Sequence, residues 1–264
     1  MRHRERGAAL LIALGGLALI SALTAGAVRM TAAPATRASA AIEQAIANRS
    51  AEAAIHRIAA AMTSPENRFI ATWDGVPVSL SDGPTELIIS AQDVEGLIDL
   101  NTAPPDAIRR LLVISGASEQ QAADITSIWS EGRSGARTRF GQKEDALNLL
   151  TNSQAAAARN ALPHATVFSG RSTVDPYSAT APALAARADI SLEDAQAFVA
   201  ARTLNGRRAE LPRGADPNSL HVSERLAARV TARAVTENGG RASLSVAMRV
   251  TTSPRAPVRF LSWR

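Results

Sequence analysis

The chain opens on a charged stretch, Met1 to Gly7 (MRHRERG), after which ionisable side chains vanish for 21 residues, Ala8 to Val28. As a helix rising 1.5 Å per residue, that run is roughly 30 Å long, about the hydrocarbon thickness of a bilayer. It is apolar on every face, so it predicts a membrane-inserted helix. Three arginines ahead of it, against Arg29 and Arg37 behind, favour a cytoplasmic N-terminus. Residues 35–63 are Ala-rich and amphipathic, with Ile42, Ile46, Ile55 and Ile58 set among Arg37, Glu43, Arg49, Glu52 and Arg57. Pro34, between the two halves, predicts a kink or one missing backbone bond, and Ser64-Pro65 predicts the end of the helix.

The period then changes. Phe69 to Trp73, Val76 to Leu80 and Leu87 to Ile89 read as strands, separated by Asp74-Gly75 and by Ser81-Asp82-Gly83-Pro84. At residue 98 helical patterning returns. Asn101 or Thr102 is expected to cap a first helix with prolines in its early turn, buried through Leu111 and Leu112. Ser118 with Gln121 is a capping box for the next. A weaker echo follows. Asp99 to Ala103 matches Asp175 to Ala179 at an offset of 76, and Ser118 to Ala122 matches Ser191 to Ala195 at 73. Val230 to Thr236, Glu237-Asn238-Gly239-Gly240 and the period-two run Leu244, Val246, Met248, Val250 make a hairpin, and Val258 to Trp263 a last strand. The organisation is therefore 1–7, a basic leader; 8–63, a transmembrane and stalk helix; 64–97, strands; 98–215, a helical insertion with two repeats; and 216–264, strands. The two groups of strands form one sheet only if the block between them is an insertion.

Composition narrows the functions. Hydrophobic residues make up 46% of the 264, with 55 alanines, so a packed fold is expected rather than a disordered tail. No cysteine is present, which removes disulfides, zinc ribbons and thiol chemistry. The net charge of +5 comes from 28 arginines and a single lysine, Lys143, spread along the chain. That is a poor footprint for nucleic acid. No G-x-S-x-G, H-E-x-x-H or P-loop pattern occurs, and the four histidines are scattered, so no enzyme is expected. Asp93, Glu95 and Asp99 near the sheet-to-helix junction, and Asp175 with Asp189, are candidate ligands for a structural calcium ion; no other cofactor is expected.

Three readings compete for the N-terminal segment. Ala25-Gly26-Ala27 fits a secretory signal cleavage site, the run alone fits a plain signal anchor, and Gly7 at the charged–apolar junction resembles the class III signal of type IV pilins and pseudopilins. A retained, amphipathic second half suits the third, in which the apolar run is the first half of a stalk. The helix pairs of the insertion resemble helix–hairpin–helix DNA-binding domains, as in membrane-anchored DNA-uptake proteins. That motif needs a Gly-x-Gly hairpin, whereas this chain has Ser115-Gly116-Ala117-Ser118 and Ala188-Asp189-Ile190-Ser191.

Taken together, Gly7 with Ala8 to Val28, the Leu100-Asn101-Thr102-Ala103 opening, its partial second copy and the terminal strand ending at Trp263 resemble the type II secretion protein K family of minor pseudopilins. The resemblance implies an α+β, pilin-like fold with a long N-terminal helix and an antiparallel sheet, interrupted by an all-α insertion of two SAM-like or helix–hairpin–helix-like modules. It implies prepilin-peptidase cleavage between Gly7 and Ala8, methylation of the new N-terminus, and a single-pass inner-membrane protein with its bulk in the periplasm. Ile12 would then stand at mature position five, where most pilins carry a glutamate. A subunit at the filament tip has no neighbour above it whose amine such a carboxylate would pair with, so the resemblance implies a tip subunit that initiates pseudopilus assembly. Implied partners are minor pseudopilins I and J, the major pseudopilin, the prepilin peptidase and the inner-membrane assembly platform, without nucleic acid. Ile42, Ile46 and Ile58 are the expected partner-helix contacts, flanked by Ala38, Ala41, Ala45, Ala53 and Ala60.

Overall fold

The computed structural model describes residues 2–63, 73–134, 139–224, 226–253 and 255–263, with the backbone alone at 2–13, 23, 25–36, 134 and 207. The expected strand Phe69 to Trp73 lies almost wholly outside the described residues.

One helix, α1 (Arg2–Thr63), runs through Pro34 without interruption and stops before Ser64-Pro65. The inner stripe of its second half is Ala47, Ala51, Ala54, Ile55, Ile58 and Ala59, all buried. Steps of three and four residues keep these on one face. The stripe lies on the sheet formed by β1 (Val78–Asp82), β2 (Thr85–Asp93), β5 (Ala227–Thr236), β6 (Arg241–Val250) and β7 (Val258–Trp263), in that spatial order and antiparallel throughout. Alanines on both partners, such as Ala51 and Ala54 on the helix and Ala232 and Ala234 on β5, let them approach closely around Leu87, Ile89, Val230 and Met248. The β5–β6 hairpin also clamps α1. A side-chain carbon placed on Gly240 would fall 2.3 Å from Glu43 O, so only glycine fits there. Asn238 Nδ2 donates to Glu43 Oε1 at 2.9 Å, and Gln44 Nε2 to Arg241 O at 2.7 Å.

β2 and β5 are direct neighbours, Asp93 opposite Ala228, although the whole insertion separates them in sequence. The insertion has its own core around Leu111, Leu112, Ile125, Trp129, Leu184 and Phe198. It comprises β3 (Ile98–Asp99), α2 (Pro105–Ile114), α3 (Glu119–Ser134), α4 (Lys143–Leu147), α5 (Asn152–Ala158), β4 (Ala165–Thr166), α6 (Ala181–Ala188) and α7 (Leu192–Asn205). The expectation of an all-α block needs one correction. β3 pairs in parallel with β4, and Val174 makes the equivalent parallel bridge to Leu220. Each module thus ties the strand that enters it to the segment that leaves it, and the second module continues past residue 215 to His221.

The two modules are built alike. Asp99 and Asp175 are both buried, each accepts the N–H two residues on (Asn101 and Tyr177, 2.8 and 3.1 Å), and each carbonyl accepts from the alanine four residues on. This is an Asx turn, used twice to launch a helix pair. Ser118 and Ser191 cap the second helices by accepting from Gln121 N and Asp194 N. Asn101 and Thr102 cap nothing, because the cap of α2 is Pro104. The Asn101 side chain instead donates to Phe140 O and accepts from Phe140 N, while the Thr102 hydroxyl donates to Arg171 O.

Candidate functional site

The outer face of α1 is the first candidate surface. Ile42 and Ile46 are 59% and 38% exposed, and Ala38, Ala41, Ala45, Ala53 and Ala60 are exposed beside them. Ile58 corrects the expectation for it. It is fully buried against the chain's own sheet. At about 100° per residue, Ile58 sits roughly 160° round the helix from Ile42, on the opposite face, so it holds the fold together and is not part of an outer surface. Gly7 and Ala8 fall in the first turns of α1, where the backbone alone is described. Farther along, Leu14, Leu17, Leu19 and Ile20 are all more than half exposed. Such a concentration of large apolar side chains marks a surface meant to be covered. Among the described residues no helix is long and apolar enough to cross a membrane; within Ala8 to Val28, side chains are described only at 14–22 and 24.

The acids at the root of the insertion form the second candidate. Each has a different protein partner. Asp93, fully buried, accepts from Glu95 N at 2.9 Å, and burial raises its pKa to about 6, against the pull of Ser223 and the Glu95 N–H. Glu95 Oε2 meets His221 Nε2 at 2.6 Å, and that hydrogen bond holds its carboxyl below the usual range. Asp99 Oδ2 accepts from the Ser169 hydroxyl and Gly170 N, and Asp175 Oδ2 from the Ser178 hydroxyl. Asp189 sits in the left-handed region at φ 59°, ends α6 and pairs with Arg110 of α2. The five therefore do not converge, and among the described residues no group of three or more His, Asp or Glu side chains is placed to hold a metal ion. What the root does is fasten the insertion. Asp175 N donates to Glu95 O, Gln92 Nε2 donates to Ser178 O at 2.8 Å, and a side-chain carbon on Gly96 would strike the Ser178 backbone at 2.5 Å.

The helix-pair hairpins are the third candidate, and their backbone N–H groups are already used. Gly116 (φ 101°) and Asp189 occupy equivalent positions. Gly116 N and Ala117 N donate to Val113 O and Leu112 O, and Ile190 N donates to Ala185 O. These bonds close the ends of α2 and α6 rather than presenting donors to a phosphate. At the second hairpin the exposed group is a carboxylate.

Sequence reasoning missed the Glu95–His221 pair, because no local pattern links residues so far apart. It also missed a further Asx turn at Asp216, where Asn218 N and the Ser219 hydroxyl donate to the carboxylate. There a signal existed. Asp175-Pro-Tyr-Ser and Asp216-Pro-Asn-Ser are the same four-residue pattern.

No protein-family model and no curated protein matches the chain. Among solved structures it is similar to a chain of the GspK–GspI–GspJ complex from the type 2 secretion system of enterotoxigenic Escherichia coli. The TM-score is 0.53 at 11% identity, over 87% of this chain and 98% of that one. The chain has a pseudopilin-like fold. At that identity the likeness concerns the arrangement of helix, sheet and inserted modules, which agrees with the α+β, pilin-like expectation.

Proposed function

We propose that this chain is a minor pseudopilin at the tip of a type II secretion pseudopilus, which starts assembly and supports protein export. In this reading the prepilin peptidase cuts between Gly7 and Ala8. The apolar run then anchors the protein once in the inner membrane, N-terminus cytoplasmic and bulk periplasmic, and no catalysis is involved. The observation that carries it is the division of labour on α1. Its inner stripe is consumed by the chain's own sheet, while Ile42, Ile46 and the small residues around them remain exposed, a surface suited to close packing by other stalk helices. Likeness to a chain from a complex of three such proteins supports the partners, which we take to be counterparts of GspI and GspJ. The insertion, mounted on the far side of the sheet from α1, is bulk that a slender repeating shaft has no room for.

The test is co-expression of the full chain with minor pseudopilins I and J from the same secretion system. The three are expected to co-purify from detergent. Ile46→Asp places a charge on the exposed stripe and should weaken the complex about tenfold or more, since burying one isoleucine contributes roughly 1.5–3 kcal/mol. Absence of any complex with the unaltered chain sinks the tip reading.

A further inference from the structure

The outer stripe of α1 continues sideways onto the last strand of the sheet. At about 100° per residue, His56 falls roughly 40° round the helix from Ile42, on the exposed face that also carries Ala53 and Ala60. Its ring stands 5.7 Å from that of Phe260 and 5.8 Å from that of Trp263, and those two rings meet edge to face at 5.2 Å. A regular strand would not allow this, because residues three apart point to opposite faces. A bulge in β7 removes the conflict. Phe260 stands opposite Met248 and Ser262 opposite Ala247, so Leu261 has no residue opposite it and Trp263 comes to Val246. Met248 and Val246 both lie in the helix–sheet core, and cross-strand partners share a face. The bulge therefore turns Trp263 toward α1, beside Phe260.

The two aromatics keep 38% and 42% of their surface exposed. A stable interface removes about 800 Å² from each partner. Ile42 and Ile46, roughly half exposed, supply on the order of 100 Å² of apolar side chain between them. The exposed parts of Phe260 and Trp263 add roughly 60–100 Å² each, directly continuous with that stripe. β7 borders no further strand, but its bulge interrupts the ladder a sixth strand would need. The seam suits a rod that packs by its side chains. In the tip reading, a partner anchored in the same membrane by its own stalk helix runs alongside α1 and meets this face.

We propose that the seam between α1 and β7, floored by His56, Phe260 and Trp263, seats the stalk helix of a neighbouring minor pseudopilin. That helix would bring small residues over Ala53 and Ala60 and an aliphatic side chain against Trp263. The inference rests on the tip reading and adds to it that the partner is gripped by the edge of the sheet as well as by α1.

The test uses the full chain labelled with 5-fluorotryptophan, in detergent micelles, with unlabelled minor pseudopilins I and J from the same secretion system. Of its three tryptophans, Trp129 is buried in the core of the insertion. Adding the partners should move the Trp263 fluorine signal, assigned through Trp263→Phe, and leave that of Trp129 in place. Phe260→Ala combined with Trp263→Ala should weaken the complex at least tenfold. Should that pair of changes disturb the sheet, His56→Glu on the exposed side of the helix should weaken it similarly, with the melting temperature within a few degrees of the parent. If the unaltered chain forms the complex and Ile46→Asp disrupts it, while the aromatic variants and His56→Glu bind within twofold of the parent, this inference is overturned and the tip reading stands. Absence of a complex with the unaltered chain removes both. New hydrogen-exchange protection along the β7 backbone on binding would mean strand addition, and overturns the seating of a helix.

Discussion

Glu95 Oε2 and His221 Nε2 lie 2.6 Å apart and join the residue where the chain leaves the sheet for the insertion to the residue where it comes back. His221 Nδ1 meets Thr173 Oγ1 at 2.9 Å, so the imidazole is held from both sides. Both members of the pair are mostly buried, 12% and 18% exposed. Because β2 and β5 are adjacent, this clasp closes the neck through which the insertion communicates with the pilin-like body.

The clasp carries a pH signature. A depressed carboxyl pKa means that Glu95 stabilises the fold above its ordinary value of 4.5, and that this contribution is lost as pH falls through the depressed value. Glu95→Gln should therefore destabilise by about 2–4 kcal/mol at pH 7, with the gap from the unaltered protein narrowing as pH falls from 4.5 through the depressed value. Urea unfolding followed by tryptophan fluorescence at both ends of that range measures it. Equal gaps at the two would assign the loss to packing alone.

Asp93 behaves in the opposite sense. Its folded pKa, raised from 3.8 to about 6, makes the ionised form unfavourable in the folded state. Its contribution is complete below 3.8 and is lost as pH rises through 6. Asp93→Asn should thus stabilise at pH 7–8, by up to about 3 kcal/mol from the size of the shift, and confer no such advantage near pH 4. Thermal melts across that range decide it; a variant less stable than the parent at pH 8 contradicts the burial argument.

Two isoleucines on α1 should part company. Ile58→Asp puts a charge into the helix–sheet core and should cost more than 3 kcal/mol, enough to unfold a marginal domain. Ile46→Asp should leave the melting temperature within a few degrees of the parent while weakening partner association. Equal thermal destabilisation by both would mean that the outer face is not a free surface.

Processing is read most directly at Gly7. A peptidase that needs a small residue at the cut should leave Gly7→Glu as full-length precursor, while the parent chain begins at Ala8 by mass spectrometry. A start near Val28 in the parent would instead point to a secretory signal.

The hairpins make a negative prediction. With the Gly116, Ala117 and Ile190 N–H groups bonded within their own helix ends, the full chain should show no saturable binding to duplex DNA at about 150 mM salt, where non-specific attraction is already weakened. Tight binding under those conditions would restore the DNA-uptake reading.

Features set by neighbours in the chain were legible before any fold was known. The Ser118–Gln121 capping box, the Asn238-Gly239 hairpin, the amphipathic stalk and the strand, helix, strand order all depend on residues within a turn or two of one another, and periodicity and turn chemistry report such short-range preferences well. Capping at the start of the insertion was misread because Asn101 and Thr102 satisfy backbone groups far along the chain, at Phe140 and Arg171. A local pattern carries no information about such partners.

The sequence by itself determined the long helix, the main strands, the order of helix, strands, helical block and strands, and that one sheet requires the block to be an insertion. Tertiary structure alone decided which side of α1 faces inward: helical spacing already sets Ile58 roughly 160° from Ile42, but only the sheet selects which of those two faces is covered. It also decided the fate of the acids. Asp93, Glu95, Asp99, Asp175 and Asp189 read as a possible cation cluster, but each carboxylate goes to whichever donor the packing brings within hydrogen-bond distance: a nearby N–H, a serine hydroxyl, Arg110 or His221. Burial and long-range pairing are properties of the assembled surfaces, and a chain expresses them only after its elements have met.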